Sequence, residues 1–160
     1  MSPITYHKAT VSDIQTLVDS RIVFALELSG SQPQDQVDAL KRQMTTYFSK
    51  AVPSNSCISF FARSDNEIAG IGSVQMREQP GNFKNPSGKW GYIMSMYTYP
   101  AFRRRGICKN ILKLLVEEGA KHGITAFELH ATREGELVYS TNGFELHPEP
   151  TYRMYNVHVL

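Results

Sequence analysis

Cysteine is scarce in this chain, and long apolar runs are missing. The 160 residues include only two cysteines, Cys57 and Cys108, which lie far apart and show no Cys-x-x-Cys or Cys/His spacing. Their spacing argues against a disulfide scaffold and against a structural zinc site. No window reaches the roughly 18 to 20 consecutive apolar residues of a membrane span, and the N-terminus lacks the basic-then-apolar pattern of a signal peptide. We therefore expect a cytoplasmic protein that has no membrane segment and binds no metal.

A strong excess of charge of one sign is also absent. Seventeen Lys and Arg residues oppose fifteen Asp and Glu residues, which gives a formal net charge of +2. This balance is atypical of a dedicated nucleic-acid-binding protein.

The glycine-rich phosphate-binding motifs are missing too. Gly70-Ile71-Gly72 is not followed by the third glycine of a dinucleotide fingerprint, and no Gly-x-x-x-x-Gly-Lys-Ser/Thr occurs. The sequence thus indicates neither a Rossmann domain nor a P-loop NTPase.

The chain is long enough for one hydrophobic core, and we interpret residues 1–160 as a single domain. Periodicity and turn residues predict helices near residues 12–30, 33–52, 107–121 and 134–141, and strands at 4–9, 57–63, 67–76, 90–98, 126–131, 144–147 and 152–159. The first helix is predicted to begin at a capping box formed by Ser12 and Gln15. Hairpin-linked strands run antiparallel, whereas a strand, helix and strand form a parallel unit. The expected fold is therefore α/β (α+β), with a mixed, mostly antiparallel twisted sheet of about six to seven strands flanked by helices.

The most informative segment is the run Arg103-Arg104-Arg105-Gly106, which lies between a predicted strand and a strongly amphipathic helix. The first backbone N–H groups of a helix lack intrahelical acceptors and carry partial positive charge, so a phosphate group fits at that end. The three arginines add longer-range attraction for the same anion. A solvated charge patch or a nucleic-acid contact is the alternative interpretation, and the near-neutral total charge favours phosphate binding.

Two separated motifs resemble the GNAT superfamily of acyl-CoA-dependent N-acetyltransferases. The first is the Arg-x-x-Gly-x-Cys turn at residues 103–108, which follows a strand and Pro100 as the family's Gln/Arg-x-x-Gly-x-Gly/Ala turn does. The second is Tyr-x-x-x-Gly-Phe at residues 139–144. Cys108 departs from the family's Gly or Ala, but its side chain is small enough to fit beside a pyrophosphate.

The resemblance implies a GNAT-like acyl-CoA N-acyltransferase fold and an acetyl-CoA-dependent N-acetyltransferase that needs no metal. The cofactor-binding residues that it implies are Met96, Tyr97, Thr98, Arg103, Arg104, Arg105, Gly106, Ile107, Cys108 and Lys109. Residues 104–109 would carry the pyrophosphate of acetyl-CoA on backbone N–H groups, and residues 96–98 would bind the pantetheine arm through their main chain. Tyr139 would protonate the departing CoA thiolate.

The resemblance leaves the general base open. Many relatives carry a carboxylate on the strand before the turn, but residues 93–97 contain none. Glu128 and His130 are two residues apart and so project from one face of their predicted strand. We choose His130 as the catalytic candidate, because histidine ordinarily titrates near neutral pH and can accept an ammonium proton through water. Glu27 and Glu78 are rival candidates, and a solvated surface role remains open for both.

The predicted function is direct transfer of an acetyl group from acetyl-CoA, the acyl-donor cosubstrate, to a primary amine of a small molecule or peptide. A non-catalytic acyl-CoA-binding or regulatory module is the alternative, because the missing strand carboxylate is compatible with lost acceptor chemistry. A nucleic-acid-binding module is a more distant alternative. The interpretation expects no nucleic-acid or membrane partner and leaves room for a homodimer.

Overall fold

The computed structural model describes residues 2–155 of the chain. The strands are β1 (Ile4–Lys8), β2 (Cys57–Ser64), β3 (Glu67–Glu78), β4 (Lys89–Thr98) and β5 (Ala126–Leu129). The helices are α1 (Ile14–Ser29), α2 (Gln34–Ala51), α3 (Ile107–Lys121) and α4 (Glu136–Ser140), and 3₁₀ turns span Val11–Asp13 and Pro100–Phe102. The chain divides into two compact units, Met1–His130, which contains the sheet, and Ala131–Leu160, which contains α4.

The first unit is built on one mixed sheet in the order β1-β2-β3-β4-β5. The pairs β1–β2, β2–β3 and β3–β4 are antiparallel, whereas β4 and β5 are parallel and are connected through α3. The predicted mixed α/β fold is therefore confirmed. The hairpin, α2, β4, α3 and β5 also form where the sequence predicts them, with end shifts of at most one or two residues.

Helices cover both faces of this sheet. On one face, buried residues of α1 and α2, among them Leu17, Val18 and Phe48, form a core with Phe61 and Ile71 of the sheet. On the other face, α3 packs against β2, β3 and β4. Within residues 2–155, no helix is both long enough and apolar enough to span a bilayer.

A small residue on β3 allows α3 to lie close to the sheet. A Cβ atom on Gly72 would lie 2.6 Å from Ile111 Cγ2 and 3.2 Å from Leu115 Cδ1, both of which are buried side chains of α3. Protein interiors are densely packed, so these side chains have little room to move aside. The close packing fixes the first turn of α3 relative to the strands beneath it.

The first helix has its predicted extent but not its predicted cap. It follows a 3₁₀ turn and ends at Gly30, which has a φ of 75°. The capping pair is Thr10 and Asp13 rather than Ser12 and Gln15, because the Thr10 N–H donates to Asp13 Oδ2 at 2.8 Å. Both pairs have suitable spacing, but a carboxylate accepts a backbone hydrogen bond more strongly than an amide does.

The strands predicted near the C-terminus are wrong within the described residues. Residues 144–147 and 152–155 form no strand, and residues 156–159 of the second prediction lie outside the described residues. Leu146 is 99% exposed, so its segment lacks the half-buried alternation that stabilises a strand. Two prolines between the segments also lack the N–H groups that a ladder needs. The sheet in residues 2–155 therefore has five strands instead of six to seven.

Candidate active site

The sheet opens at the carboxyl end of β4. β4 pairs with β5 only from Trp90 to Ile93, where Ile93 lies opposite Leu129. On its other side β4 continues to pair with β3 as far as Thr98. Residues 94–98 therefore carry backbone groups on the β5 side that no strand within residues 2–155 pairs. The sheet is therefore open between β4 and β5 beyond this point, and the unpaired backbone groups can bind a ligand.

A β-bulge lies where the two strands separate. One residue of β3, Gly72, is opposite two residues of β4, Ser95 and Met96. Ser95 has a φ of 57°, an unusual value for a residue other than glycine. A bulge bends its strand and changes the direction of the groups around it, and bulges are frequent beside active sites. The amides at this bulge are thus candidates for contact with a reacting group.

The backbone of Thr98 faces the open edge. The Tyr99 N–H donates to Ala69 O on the β3 side at 3.0 Å. Because the backbone groups of successive residues point to alternate edges of a strand, those of Thr98 point away from β3. Arg103 is consistent with this direction, since its Nε donates to Thr98 O at 3.0 Å. By the same alternation Tyr97 directs its backbone groups at β3. Of the predicted residues 96–98, Thr98 and Met96 of the bulge are therefore those that face the opening.

The segment after β4 forms a compact turn that leads into α3. Arg104 has a φ of 61° and Gly106 a φ of 74°, so both residues adopt left-handed conformations. The first hydrogen bond of α3 runs from the Asn110 N–H to Gly106 O at 3.1 Å, and the amides before it point out of the helix end. Apart from its two neighbours in the chain, no residue within residues 2–155 has an atom within 4 Å of a Cβ placed on Gly106. The turn therefore offers open space at a helix end that favours an anion.

The three arginines of this turn have different surroundings. Arg103 Nη2 donates to Glu27 Oε1 of α1 at 2.5 Å. Arg105 Nη2 donates to the Ser2 carbonyl oxygen at 2.8 Å. Arg104 is exposed, and its guanidinium has no partner among the described residues. The structure thus anchors two of the predicted phosphate-binding arginines to the protein and leaves Arg104 directed to solvent.

The other predicted residues of the turn contribute mainly backbone. Ile107 is only 2% exposed, and its Cγ2 would lie 2.8 Å from a Cβ on Gly70 of β3. Cys108 is half-buried and Lys109 is exposed. The side chain of Ile107 therefore fixes the helix end on the sheet, while its amide is available to a ligand.

Glu27 connects the turn to β4. The Tyr97 hydroxyl donates to Glu27 Oε2, and Arg103 binds the other carboxylate oxygen. These bonds, the one from Tyr97 first, lower the pKa of Glu27 below its ordinary value. Burial, followed by the adjacent carboxylate, raises the pKa of Tyr97 to about 12. Glu27 is therefore an ionised anchor and a weak base for an ammonium proton.

His130 follows β5 and lies beside a tyrosine of β4. Its Nδ1 is 2.9 Å from the Tyr92 hydroxyl oxygen. The Arg77 guanidinium carbon lies 3.8 Å from the centroid of the Tyr92 ring, and Arg77 Nη1 is 3.4 Å from Glu128 Oε1. Both members of the predicted pair are neighbours of Tyr92, since Glu128 lies opposite Tyr92 in the sheet, and Glu128 has an arginine partner. The Tyr92 contact orients the imidazole, which favours His130 over Glu128 for proton transfer.

The remaining rival base is far along the strand from the opening. Glu78 ends β3 and lies opposite Lys89, the first residue of β4, whereas the opening begins after Ile93. Glu78 is also exposed. The structure therefore does not bring Glu78 to the open end of β4.

Tyr139 belongs to the second unit, where it lies in α4. It is 9% exposed, and its ring contacts that of Phe144 edge to face, with centroids 6.1 Å apart. The Phe144 N–H donates to Tyr139 O at 3.1 Å, and Gly143 between them has a φ of 89°. The Tyr-x-x-x-Gly-Phe motif therefore folds as one local turn that holds the tyrosine ring in place.

Sequence reasoning missed three polar side chains on the sheet face that α1 and α2 cover. They are Arg21, which donates to the hydroxyl of Ser95, Ser95 itself, and Arg77. Arg21 occurs four residues after the buried Leu17 on the inner side of α1, and a charge at such a position is a signal available in the sequence. The bulge that directs Ser95 toward α1 leaves no comparable pattern in a single sequence.

Comparison with known protein families gives a match over most of the chain. A family model described as Acetyltransferase (GNAT) family matches residues 24–139. Comparison with curated proteins finds no matching sequence.

Similar solved structures include acetyltransferases. A predicted acetyltransferase with acetyl-CoA from Clostridium acetobutylicum is 28% identical, with a TM-score of 0.84 and 99% of each chain covered. A GCN5-related N-acetyltransferase from Ralstonia eutropha JMP134 is 20% identical, with a TM-score of 0.81, and the match covers 95% of this chain and 99% of that one. An aminoglycoside acetyltransferase from an uncultured soil metagenomic sample, in complex with sisomicin, is 15% identical, with a TM-score of 0.67 and coverage of 96% and 95%. The last two similarities show the fold alone.

Proposed function

Because the chain belongs to the GNAT acetyltransferase family, we propose that it transfers the acetyl group of acetyl-CoA to a primary amine. The observation that carries this proposal is the opening of the sheet beyond Ile93, directly before the turn that leads into α3. An unpaired strand edge and a helix N-terminus are thus joined by a short connection. A ligand that has both an amide-bearing arm and a pyrophosphate can use the two together.

Backbone groups would supply most of the donor site. The pantetheine arm would bind along the open edge at Met96 and Thr98, and the pyrophosphate would bind the N–H groups of residues 104–109. The unpaired edge and the space beside Gly106 support this fit. Arg104, which extends into solvent, would add positive charge for a further phosphate. The relative from Clostridium acetobutylicum, solved with acetyl-CoA, supports this donor.

Acetyl-CoA, when bound, supplies the activated acyl group. The acceptor nitrogen would form a bond to the acyl carbon while the carbon–sulfur bond breaks. Amides at the bulge, that of Met96 first, would stabilise the oxyanion that develops. We assign to Tyr139 the protonation of the departing thiolate, on the strength of the family motif, because a positioned phenol can donate to a thiolate.

His130 would accept one of the two protons that the acceptor ammonium loses. It would take this first proton through a water molecule before the amine attacks, with its imidazole oriented by Tyr92. The second proton would leave the nitrogen as the amide forms and restore the phenol of Tyr139, which has given its own proton to the sulfur, so the transfer balances. An amine acceptor agrees with the relative that was solved in complex with sisomicin. A single domain, a cytoplasmic location and a homodimer remain predictions.

The test is acetyl-CoA-dependent release of free thiol over a panel of primary amines. We expect calorimetry to show acetyl-CoA binding, and at least one class of amine to accelerate thiol release and to become acetylated. Binding without thiol release for any amine would favour the non-catalytic acyl-CoA-binding module. Absence of acetyl-CoA binding would contradict the donor site itself.

A further inference from the structure

Arg21 is a half-buried cation on the inner side of α1. Its Nη1 donates to Ser95 Oγ at the bulge of β4. None of the ion pairs within residues 2–155 involves Arg21, so no carboxylate in the described part of the chain neutralises it. A guanidinium has five N–H donors, and this contact uses one of its nitrogens. Among the described residues, Trp90 Nε1 is the one buried side-chain nitrogen that lacks a hydrogen-bond partner. The other Arg21 nitrogens make no hydrogen bond there, so they are not buried and reach solvent.

The side chains around Arg21 do not balance its charge. Burial raises the pKa of Tyr47 to about 12 and also raises the pKa of Cys57, while Arg21 acts on both in the opposite direction. Both groups are therefore neutral at pH 7, and both lie close enough to the guanidinium for its positive charge to lower their pKa values. Ser59 and Ser73, with hydroxyl oxygens 2.6 Å apart, add polarity to the same sheet face without adding charge. A partly desolvated cation in neutral surroundings favours an anion from outside the chain.

Arg21 also lies where an acceptor must arrive. Its partner Ser95 belongs to the bulge at which β4 leaves β5. The proposed function places the acyl carbon at the amides of this bulge. The open side of the Arg21 guanidinium therefore lies near the nitrogen of an amine that attacks there, at a separation that a few covalent bonds of the acceptor can span. An anionic group on the acceptor would thus reach the guanidinium while the nitrogen faces the thioester.

We propose that Arg21 binds a carboxylate of the acceptor, so that the preferred substrate is an amino acid or another small amine with a carboxylate a few bonds from its nitrogen. This inference rests on the proposed function, because it names the acceptor class of the same site. One guanidinium matches the single charge of a carboxylate, whereas a phosphate monoester carries about 1.5 to 2 negative charges at pH 7. The planar guanidinium can also bind a carboxylate through two parallel hydrogen bonds.

The experiment compares acceptors that differ only in the anionic group. The panel contains α- and β-amino acids, their primary amides, and phosphoethanolamine as an amine with a phosphate ester. Initial rates of thiol release give kcat/KM for the wild type and for Arg21→Gln and Arg21→Lys. We expect the wild type to prefer the acids to their amides by at least about tenfold. Arg21→Gln should lower kcat/KM for the acids roughly 10- to 100-fold and for the amides by less than about threefold.

Arg42→Gln is the matched control, because Arg42 is an exposed arginine of α2 outside the proposed site. It removes the same charge and should keep the wild-type preference. Melting temperatures and acetyl-CoA affinity verify that each variant is folded and keeps its donor site. Arg21→Lys keeps the charge without the planar fork, so it should show a smaller loss of kcat/KM on the acids than Arg21→Gln. It also serves as the test variant if Arg21→Gln proves unstable.

The outcomes separate this inference from the proposed function. Equal losses on acids and amides, or a wild type that shows no preference for acids, would overturn the role of Arg21 and leave the acetyltransferase standing. An Arg21-dependent preference for phosphoethanolamine would overturn the carboxylate assignment. Failure to bind acetyl-CoA, or no thiol release with any amine, would overturn the proposed function and this inference with it.

Discussion

At the scale of single residues, several side chains hold the elements of the site in place, while backbone groups face the open edge of the sheet. Glu27 accepts hydrogen bonds from Tyr97 and Arg103, and Arg103 in turn binds Thr98 O. These contacts join α1, β4 and the turn before α3. Two of the residues predicted to bind acetyl-CoA, Tyr97 and Arg103, therefore have side chains committed to the architecture of the site.

Tyr139 provides a test of one proton transfer. Tyr139→Phe should keep the fold and the acetyl-CoA affinity but lower turnover roughly 10²- to 10⁴-fold, about 3 to 5 kcal/mol of barrier, because the general acid is lost. The measurement is the initial rate of CoA release with a responsive amine, beside calorimetry with acetyl-CoA. Unchanged turnover at saturating substrates, with chemistry shown to limit the rate, would remove Tyr139 from the mechanism.

Glu27 provides a test of the anchor through pH. The pKa of Glu27 is lowered in the folded protein, so its bonds contribute stability above the ordinary value of 4.5, and this contribution is lost as the pH falls through the lowered pKa. We expect Glu27→Gln to melt below the wild type at pH 7, and the difference to shrink in acid. Melting curves from pH 7 to pH 3 give the measurement.

The control for Glu27 is Glu117→Gln, which removes the carboxylate of an exposed i,i+4 pair with Lys113 on α3. Exposed pairs contribute about 0 to 1 kcal/mol, so this variant should melt close to the wild type. A Glu27→Gln deficit that stays constant or grows toward pH 3 would argue against an ionised anchor.

At the scale of elements, the end of β4 and the start of α3 act together. Gly106 allows the left-handed conformation at the helix start, and the space beside it is open within the described residues. Gly123, just beyond the other end of α3, has a similar φ of 79°, and apart from its chain neighbours a Cβ there would meet only Lys89 Nζ, at 4.0 Å, within residues 2–155. The two glycines thus share the conformational requirement but differ in position.

Gly106→Ala should weaken acetyl-CoA binding at least about tenfold, whereas Gly123→Ala should leave it within about twofold. Both variants should lose about 1 to 2 kcal/mol of stability, because alanine is strained at positive φ. Calorimetry with acetyl-CoA and melting curves separate the two effects. Equal affinity losses in the two variants would indicate that backbone strain alone, rather than a methyl group in the binding space, weakens the binding of acetyl-CoA.

The elements also show what a single sequence can predict. The apolar stripe and terminal glycine of α3, and the turn between β2 and β3, are local patterns, and both elements form as predicted. The bulge at Ser95 and the early end of the β4–β5 pairing depend on contacts between distant segments. Residues 144–147 alternate like a strand but find no pairing partner in the described part of the sheet, so local pattern alone was misleading there.

The candidate site shows the same division between local and distant information. The turn at residues 103–108 could be predicted because its glycine and its position before an amphipathic helix are local features. The anchoring of Arg103 by Glu27 joins residues 76 positions apart, and the partnership of Arg21 with Ser95 joins residues 74 apart. Such pairs follow from the packing of α1 on the sheet, which no local pattern specifies.

At the scale of the whole molecule, ligand binding should appear as added stability. Acetyl-CoA at about 100 times its Kd should raise the melting temperature by roughly 5 to 10 °C, because it binds the folded state alone. ATP, NAD and free acetate should raise it much less, since none offers both a pyrophosphate and a pantetheine arm. Comparable stabilisation by ATP would point to a generic phosphate site.

Hydrogen–deuterium exchange of the whole protein, with and without acetyl-CoA, can show where the donor binds. We propose that the donor binds along the open edge of β4 and at the N-terminus of α3. We therefore expect slower amide exchange at residues 94–98 and 104–109, with the β2–β3 hairpin turn at Asp65 and Asn66 unchanged as an internal control. Protection confined to other segments, or no protection at an acetyl-CoA concentration far above its Kd, would contradict it.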